Sequence, residues 1–350
     1  MKKAIFIILL LCLGCGLYVW HETRAFLSTP ASGKSVEVLY TVKSGQSLWN
    51  IAQNLEAEGL VTNARKFAIL AWLRGQDNKI KAGRFLLNKN WLPEKLLASL
   101  VEGKAALDRV TIPEGLTWWQ TARLLANQGF VRFEDFKNTV FDPDFLRRYG
   151  IPFSSAEGFL MPDTYLLKKP DGLSTAEAWA NQSRKVAGRL VDNFWEKSAG
   201  LWPDTGADKN ARRPDRENLK KWMILASIVE KETAVPHERP RIAGVYENRL
   251  EKNMLLQADP TVIYGLGPDF SGSLLRSHLD NAENAYNTYR NTGLPPGPIA
   301  SFGLSALKAA INPEKHDYLY FVAKTDGGEH NFSESLNKHN EAVRQYRMQK

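Results

Sequence analysis

The sequence predicts an α+β protein that follows an apolar N-terminal segment. Stretches with helical apolar periodicity alternate with short β-type stretches along the chain. A length of 350 residues corresponds to roughly two or three domains. A hydrophobic content of 43%, with 11% aromatic residues, is enough for a substantial core and excludes a disordered chain.

The N-terminal segment predicts a transmembrane anchor over residues 1–22. Lys2 and Lys3 precede the uncharged apolar run Ala4–Trp20, which has the length of a short membrane-spanning helix. The two lysines predict that the N-terminus stays in the cytoplasm and that the remainder is exported. A cleaved signal peptide and a lipoprotein signal at Cys15 are the alternatives. Both cysteines of the chain lie in this segment, so the rest can form no internal disulfide.

Residues 36–104 form the first predicted domain, which begins as a strand–helix–helix–strand unit. Leu39–Val42 reads as a strand, and Ser47 is a suitable N-cap for a helix over Leu48–Glu58. Gly59 suits the C-cap of that helix.

The stretch YTVKSGQSLWNIA, at residues 40–52, resembles the start of a LysM module, a class that binds glycans containing N-acetylglucosamine. The resemblance implies glycan binding by this domain. A purely structural role for Trp49 and Ile51, as filling of a small core, is the alternative.

Residues 109–350 form the second predicted domain. A strand and a turn lead to a helix whose predicted N-cap is Thr117. We expect Trp118 and Trp119, at the start of this helix, to be core residues rather than a sugar-stacking pair. Asp317–Lys324 reads as a buried strand.

The stretch WMILASIVEKETAVP, which starts at Trp222, predicts a buried helix that carries Glu230 and Glu232 near its end. At about 100° per residue the two carboxylates point about 160° apart, so they cannot act as a pair. An apolar environment raises the pKa of a carboxyl group and suits it to general-acid catalysis. Pairing of each glutamate with a cation such as Arg239 or Arg241 is the alternative, and periodicity does not decide between the two.

Polar and aromatic side chains are dense downstream of this helix. Hydroxyl groups, amides and aromatic rings are what a groove for a sugar polymer requires, because they bind hydroxyls and stack on pyranose faces. The candidate substrate-binding residues are Asn248, Gln257, Asp259, Thr261, Tyr264, Asn287 and Tyr289. Ordinary loop capping is the alternative for each of them.

Several other chemistries are disfavoured. The sequence has no HExxH motif, and its six histidines lack the spacing of metal ligands. No GxSxG elbow is present. The formal net charge of +8 is not concentrated in a dense basic stripe, so nucleic acid is not an expected partner. We therefore expect neither a metal nor a cofactor.

Four motifs of the sequence resemble those of the YceG-like family of endolytic murein transglycosylases, and they follow one another in the family's order. They are EGFLMPDTY at residue 157, ASIVEKET at residue 226, LQADPTVIYGLG at residue 256 and YNTYRNTGLPPGPI at residue 286. The family often has Phe where Met161 stands, a difference of little expected consequence. The resemblance covers nearly the whole chain.

The resemblance implies cleavage of nascent peptidoglycan between N-acetylmuramic acid and N-acetylglucosamine, which leaves 1,6-anhydro ends and terminates strand elongation. It assigns the catalytic acid to Glu230, with Glu232 as a supporting residue. It also implies glycan strands and penicillin-binding synthases as partners. The expected location is the bacterial inner membrane, with the catalytic domain in the periplasm.

Two other functions stay open at this point. A muramidase that hydrolyses the same bond needs a second carboxylate, for which Glu157, Asp163 and Asp259 are candidates. A non-catalytic peptidoglycan-binding scaffold of the cell-wall synthesis machinery fits the anchor and the LysM-like unit equally well.

Overall fold

The computed structural model describes residues 2–103, 107–170, 175–203, 213–324 and 328–349, with side chains from residue 13 onward. The chain divides into two compact units. The first comprises Met1–Asp108 and Lys168–Ser174, and the second comprises Arg109–Leu167 and Thr175–Lys350. Helices and short strands are mixed in both units, which confirms the predicted α+β class.

The first unit contains the predicted strand–helix–helix–strand order between two further helices. Its elements are α1 (Lys2–Ser28), β1 (Glu37–Val42), α2 (Leu48–Ala57), α3 (Ala64–Leu73), β2 (Gly83–Asn88) and α4 (Pro93–Glu102). Strands β1 and β2 pair antiparallel, with Glu37 opposite Asn88 and Val42 opposite Gly83.

The start and the end of α2 follow from local sequence. The Ser47 side chain accepts a hydrogen bond from the backbone N–H of Asn50, as expected for an N-cap. Gly59, just beyond the helix, has a φ of 65°, a left-handed conformation that favours glycine. The helix buries Ile51 in the core of the unit but leaves Trp49 44% exposed.

The apolar N-terminal segment lies within α1. In the part of the chain that the structure describes, no helix combines the length and the apolar character needed to cross a membrane.

The second unit contains the remaining elements, the first of which begins one residue before the boundary at Arg109. They are β3 (Asp108–Ile112), α5 (Trp118–Asn127), α6 (Phe133–Val140), α7 (Pro143–Tyr149), β4 (Asp163–Leu167), α8 (Ala176–Ser198), α9 (Arg216–Glu232), a 3₁₀ turn (Pro236–Glu238), α10 (Arg239–Glu251), α11 (Asp259–Leu266), α12 (Arg276–Asp280), α13 (Leu304–Ile311), β5 (Tyr320–Ala323), β6 (His330–Ser333) and α14 (Leu336–Gln349). Strand β3 pairs with β4, and β5 pairs antiparallel with β6.

Helix α9 is the predicted buried helix. The Asp215 carboxylate caps its start by accepting hydrogen bonds from the backbone N–H groups of Glu217 and Asn218. Every residue from Met223 to Val229 is buried, and the helix packs against α10 and α13. The prediction of a helix that is apolar nearly all round is confirmed, and its last turn carries both glutamates.

The tryptophans at the start of α5 belong to the core, as predicted. Trp118 and Trp119 are less than 10% exposed, and their rings meet edge to face with centroids 5.7 Å apart. Thr117 caps the helix and forms a capping box with Gln120.

The prediction of a buried strand over Asp317–Lys324 is partly wrong. Only Tyr320–Ala323 is a strand, and its residues are half-buried rather than fully buried. The strand pairs with β6 in a two-stranded sheet that contacts α14, and this cover leaves all four of its residues partly exposed. The sequence also predicts an exposed excursion over Ser198–Glu217, a stretch rich in Asp, Arg, Pro and Gly, and residues 204–212 of it lie outside the described residues.

Candidate active site

Glu230 is held by two partners on one side of α9. Its Oε1 accepts a hydrogen bond from Nη2 of Arg239 at 3.2 Å, and its Oε2 accepts one from the backbone N–H of Gly303 at 3.1 Å. The side chains of Glu230 and Arg239 are 6% and 8% exposed, so they form a buried ion pair. Both oxygens of Glu230 are therefore engaged by the protein.

A second carboxylate shares the same guanidinium. Oε2 of Glu114 lies 3.7 Å from Nη2 of Arg239, and the Ser305 hydroxyl contacts Nη1. The Glu114 carboxylate sits against Gly303, where a Cβ would come within 2.0 Å of Oε1. Glu114 lies in the turn before α5 and was not among the residues predicted from sequence. Its proximity to Glu230 depends on a contact between distant segments, which local sequence does not show.

Opposing effects act on the protonation of Glu230. Burial raises the pKa of this carboxyl group, the Gly303 N–H and the Arg239 charge lower it, and the Glu114 charge raises it. The net direction is upward.

Glu232 lies on another side of α9 with a different partner. Its Oε1 accepts a hydrogen bond of 2.8 Å from the hydroxyl of Tyr246 on α10. Among the described residues, Oε2 has no hydrogen-bond partner. Burial raises the pKa of Glu232 to about 7, while the Tyr246 hydrogen bond and the Arg249 charge lower it and the Asp259 charge raises it. A carboxyl group with this pKa can both donate and accept a proton near neutral pH.

A cavity of about 410 Å³ lies against Glu232. This volume falls within the usual range of ligand sites. Its lining consists of Glu232, Tyr246, Arg249, Leu256, Gln257, Asp259, Tyr289, Tyr320, Phe321, Leu336, His339 and Asn340. Three tyrosine rings, the amides of Gln257 and Asn340 and the carboxyl group of Asp259 thus share this cavity wall with Glu232, a combination that suits a carbohydrate.

Comparison with known proteins places the chain in a family. A model described as the YceG-like family matches residues 40–345. The chain belongs to the YceG-like family. It is 29% identical over 341 residues to the endolytic murein transglycosylase of Bacillus subtilis strain 168, covering 92% of this chain and 88% of that relative.

Two further comparisons agree with this assignment. The endolytic murein transglycosylase of Streptococcus pneumoniae R6 is 28% identical over 380 residues, covering 97% of this chain and 64% of that longer relative. A crystal structure of a YceG-like protein from Listeria monocytogenes is similar with a TM-score of 0.54 and 30% identity. That comparison covers 88% of this chain and all of the Listeria chain.

Three of the seven substrate-binding residues predicted from sequence line the cavity of this YceG-like protein. They are Gln257, Asp259 and Tyr289. The Tyr289 hydroxyl donates a hydrogen bond of 2.6 Å to the Asp259 carboxylate. Gln257 adopts a φ of 51°, which is uncommon for a residue other than glycine and is often found at functional sites.

The other four lie elsewhere in this YceG-like fold. The amide of Asn248 donates to the carbonyls of His316 and Tyr318, and the amide of Asn287 donates to those of His278, Leu279 and Asn281. Thr261 is fully buried and bonds Ala258 and Thr288, and Tyr264 packs against Trp119 and Tyr286. These contacts explain a structural role, and substrate binding by these four residues stays a prediction.

Of the three carboxylates considered as partners of an acid, one lies near Glu232 and two lie elsewhere. Glu157 is fully buried, where it accepts a hydrogen bond from the backbone N–H of Trp118, and burial raises its pKa to about 8. Asp163 bonds Lys197 and Asn193, whereas Asp259 lines the Glu232 cavity. Within the described ranges, no cluster of three or more His, Cys, Asp or Glu residues could hold a metal ion.

Proposed function

We propose that this protein is an endolytic lytic transglycosylase of peptidoglycan, with Glu232 as its catalytic acid and base. The proposed reaction cleaves the bond between N-acetylmuramic acid and N-acetylglucosamine and leaves a 1,6-anhydro end. The names of the relatives support the reaction class. The observation that carries the assignment is the position of Glu232: its carboxyl group, with a pKa of about 7, lies against a polar cavity.

The proposed mechanism needs one carboxyl group in two states. Protonated Glu232 donates its proton to the glycosidic oxygen as the bond from C1 to that oxygen breaks, and C1 acquires oxocarbenium character. The C6 hydroxyl oxygen of the same sugar then attacks C1, and its proton passes to the Glu232 carboxylate. Glu232 ends in its initial state, and no water is consumed.

Glu230, which the sequence-based hypothesis made the acid, is the alternative for this role. Its two oxygens already accept hydrogen bonds from Arg239 and Gly303, and Arg239 favours its charged form. A substrate oxygen would have to displace one of these partners. Glu232, in contrast, keeps Oε2 free of partners among the described residues and lines the cavity. We therefore favour Glu232.

A pair of variants separates the two assignments. Glu232→Gln and Glu230→Gln are compared with wild type on intact sacculi, with mass spectrometry of anhydro-muropeptides and circular dichroism of the fold. We expect Glu232→Gln to fold and to lose activity by about 10²- to 10⁴-fold. Glu230→Gln should retain measurable activity. Full activity of Glu232→Gln together with an inactive, folded Glu230→Gln would transfer the acid role to Glu230.

The same products test the hydrolytic alternative. A muramidase would add water, so its products would carry a reducing muramic acid end labelled with ¹⁸O in heavy-oxygen water. The lytic transglycosylase leaves no label. Binding of strands without any cleavage by the wild-type protein would instead support the scaffold hypothesis.

We further propose the finer domain assignments made from sequence: an anchor at residues 1–22, a LysM-like domain at 36–104 and a catalytic domain at 109–350. The corresponding location is the inner membrane with the catalytic domain in the periplasm, and the proposed partners are penicillin-binding synthases. Membrane fractionation and affinity purification with a tagged full chain test these assignments. Recovery of the full chain in the soluble fraction would reject the anchor.

Exposure of Trp49 supports glycan binding by the proposed LysM-like domain, because a core role would have buried its ring. Trp49→Ala should weaken co-sedimentation of the full chain with insoluble peptidoglycan. Trp72→Ala, which removes a 67% exposed ring from α3 of the same unit, is the matched control. Equal binding by the two variants would reject the proposal.

A further inference from the structure

The C-terminal helix α14 forms part of the wall of the Glu232 cavity. It contributes Leu336, His339 and Asn340 to the lining. Of these three, His339 is the ionisable side chain, and the mechanism above does not use it. Its ring stacks on that of Tyr320 in β5, with centroids 5.2 Å apart and planes 25° apart. This stacking fixes the imidazole at the cavity wall.

The two ring nitrogens of His339 differ in their surroundings. Nδ1 is buried and has no hydrogen-bond partner among the described residues. Nε2 likewise has no hydrogen-bond partner among the residues that the structure describes. Unlike Nδ1, however, it is not buried and is accessible to solvent. The accessible nitrogen of a ring that lines a cavity is the atom that a ligand there can reach.

The surroundings also decide where the imidazole carries its proton. Burial, together with the charge of Arg249, lowers the pKa of His339, so the ring is neutral at neutral pH. Arg249 lies over the same Tyr320 ring, 5.2 Å from its centroid, and the carboxyl groups facing the cavity are those of Glu232 and Asp259. A buried N–H without a partner is rarer in proteins than a buried unpaired acceptor. This preference favours the neutral tautomer with its hydrogen on Nε2.

We propose that His339 is a substrate-binding residue, which donates a hydrogen bond from Nε2 to an oxygen of the glycan strand in the Glu232 cavity. The inference rests on the proposed function, because it takes the ligand of the cavity to be a sugar polymer. The Tyr289 hydroxyl already donates to Asp259, and Arg249 uses Nε and Nη1 on backbone carbonyls. His339 thus adds a donor that the protein has not already used.

Three substitutions of His339 separate the effect of the Nε2 donor from the effect of the stacked ring. The side-chain amide of His339→Gln reaches about as far as Nε2, whereas that of His339→Asn reaches only about as far as Nδ1. His339→Phe keeps an aromatic ring for stacking on Tyr320 but has no donor. We expect His339→Phe and His339→Asn to raise KM for glycan strands by roughly three- to tenfold, with kcat changed less than KM. His339→Gln should restore most of the loss.

A binding measurement keeps the test independent of catalysis. In a Glu232→Gln background, calorimetry measures the affinity of the full chain for a tetrasaccharide of alternating N-acetylglucosamine and N-acetylmuramic acid. We expect the affinity to fall in the His339→Phe and His339→Asn variants and to be largely restored in His339→Gln. The ¹⁵N spectra of the free protein should show the Nε2–H form of His339. Unchanged affinity of a folded His339→Phe variant, or an Nδ1–H form, would overturn the proposal. Either result would leave the test of Glu232 on sacculi unaffected.

Discussion

The hydroxyl of Tyr246 donates a hydrogen bond of 2.8 Å to Oε1 of Glu232, which joins the end of α9 to the middle of α10. Burial raises the pKa of Tyr246 well above its usual range, so the hydroxyl stays a donor at any physiological pH. The contact orients the Glu232 carboxyl group and leaves its Oε2 without a hydrogen-bond partner among the described residues. It also stabilises the charged carboxylate and so opposes the effect of burial.

Tyr246→Phe should shift the pH dependence of cleavage to higher pH. The variant loses the hydrogen bond that stabilises charged Glu232, so the pKa of this carboxyl group rises above its present value of about 7. The protonated acid then persists to higher pH, and the alkaline limb of kcat/KM against pH moves upward. Rate profiles from pH 5 to 9 measure the shift. A downward shift would show that the hydroxyl does not stabilise the charged form.

Asp259→Asn should have the opposite effect. The negative charge of Asp259 raises the pKa of Glu232, so its removal lowers that pKa and moves the alkaline limb to lower pH. Asp269→Asn removes the same charge at an exposed position outside the cavity lining and serves as the control. Equal shifts in the two variants would indicate a general charge effect rather than a local one.

Arg239→Met should destabilise the fold strongly. It leaves Glu230 buried without its cation, and breaking a buried pair in this way costs about 3–5 kcal/mol. Arg241→Met, two positions along α10, removes a pair with Glu314 whose partners are 39% and 37% exposed, and it should cost less than about 1 kcal/mol.

Urea denaturation of Arg239→Met and Arg241→Met measures both costs. The double variant Arg239→Met/Glu230→Leu should recover much of the loss, because no buried charge is left unpaired. A double variant less stable than Arg239→Met alone would contradict this explanation.

Glu157→Gln should flatten the dependence of stability on pH. Burial raises the pKa of Glu157 from 4.5 to about 8, so between these values the folded state holds a proton that the unfolded state has lost. The Glu157 contribution to stability is therefore full below about pH 4.5 and decreases as the pH rises to about 8, by about 1.4 kcal/mol per unit.

The glutamine variant has no such proton to lose, so its free energy of unfolding relative to wild type should increase from pH 5 to pH 8. Urea denaturation at pH 5, 6.5 and 8 measures the difference. A difference that is constant over this range would show that Glu157 titrates alike in both states.

Asn287→Ala and Gln257→Ala should affect different properties: the first should lower stability, and the second should raise KM. The Asn287 amide is fully buried and donates to three backbone carbonyls, so its loss should lower stability by about 1–3 kcal/mol. Gln257 lines the cavity, so its loss should raise KM with little change in melting temperature. Thermal melts and kinetics on glycan strands compare the two variants. A raised KM with unchanged stability for Asn287→Ala would restore it to the substrate site.

Local sequence was sufficient for the features that depend on neighbouring residues. The N-caps at Ser47 and Thr117 depend on hydrogen bonds to residues three positions away, and both were predicted. The burial of α9 follows from apolar residues on nearly every side of one helix. Strand Tyr320–Ala323 was predicted to be more buried than it is. Its burial depends on what covers the hairpin and not on its own composition.

The sequence by itself determined the family motifs, the mixed helix-and-strand class and the presence of two glutamates on different sides of one buried helix. Only the tertiary structure decided which glutamate faces the cavity. Helical periodicity fixes the angle between Glu230 and Glu232, but the partners of Glu230 include Gly303, 73 residues away. The Glu232 cavity likewise combines α9 with α14 from the end of the chain. Burial and charge at each carboxyl group are set by these long-range contacts, which no local pattern encodes.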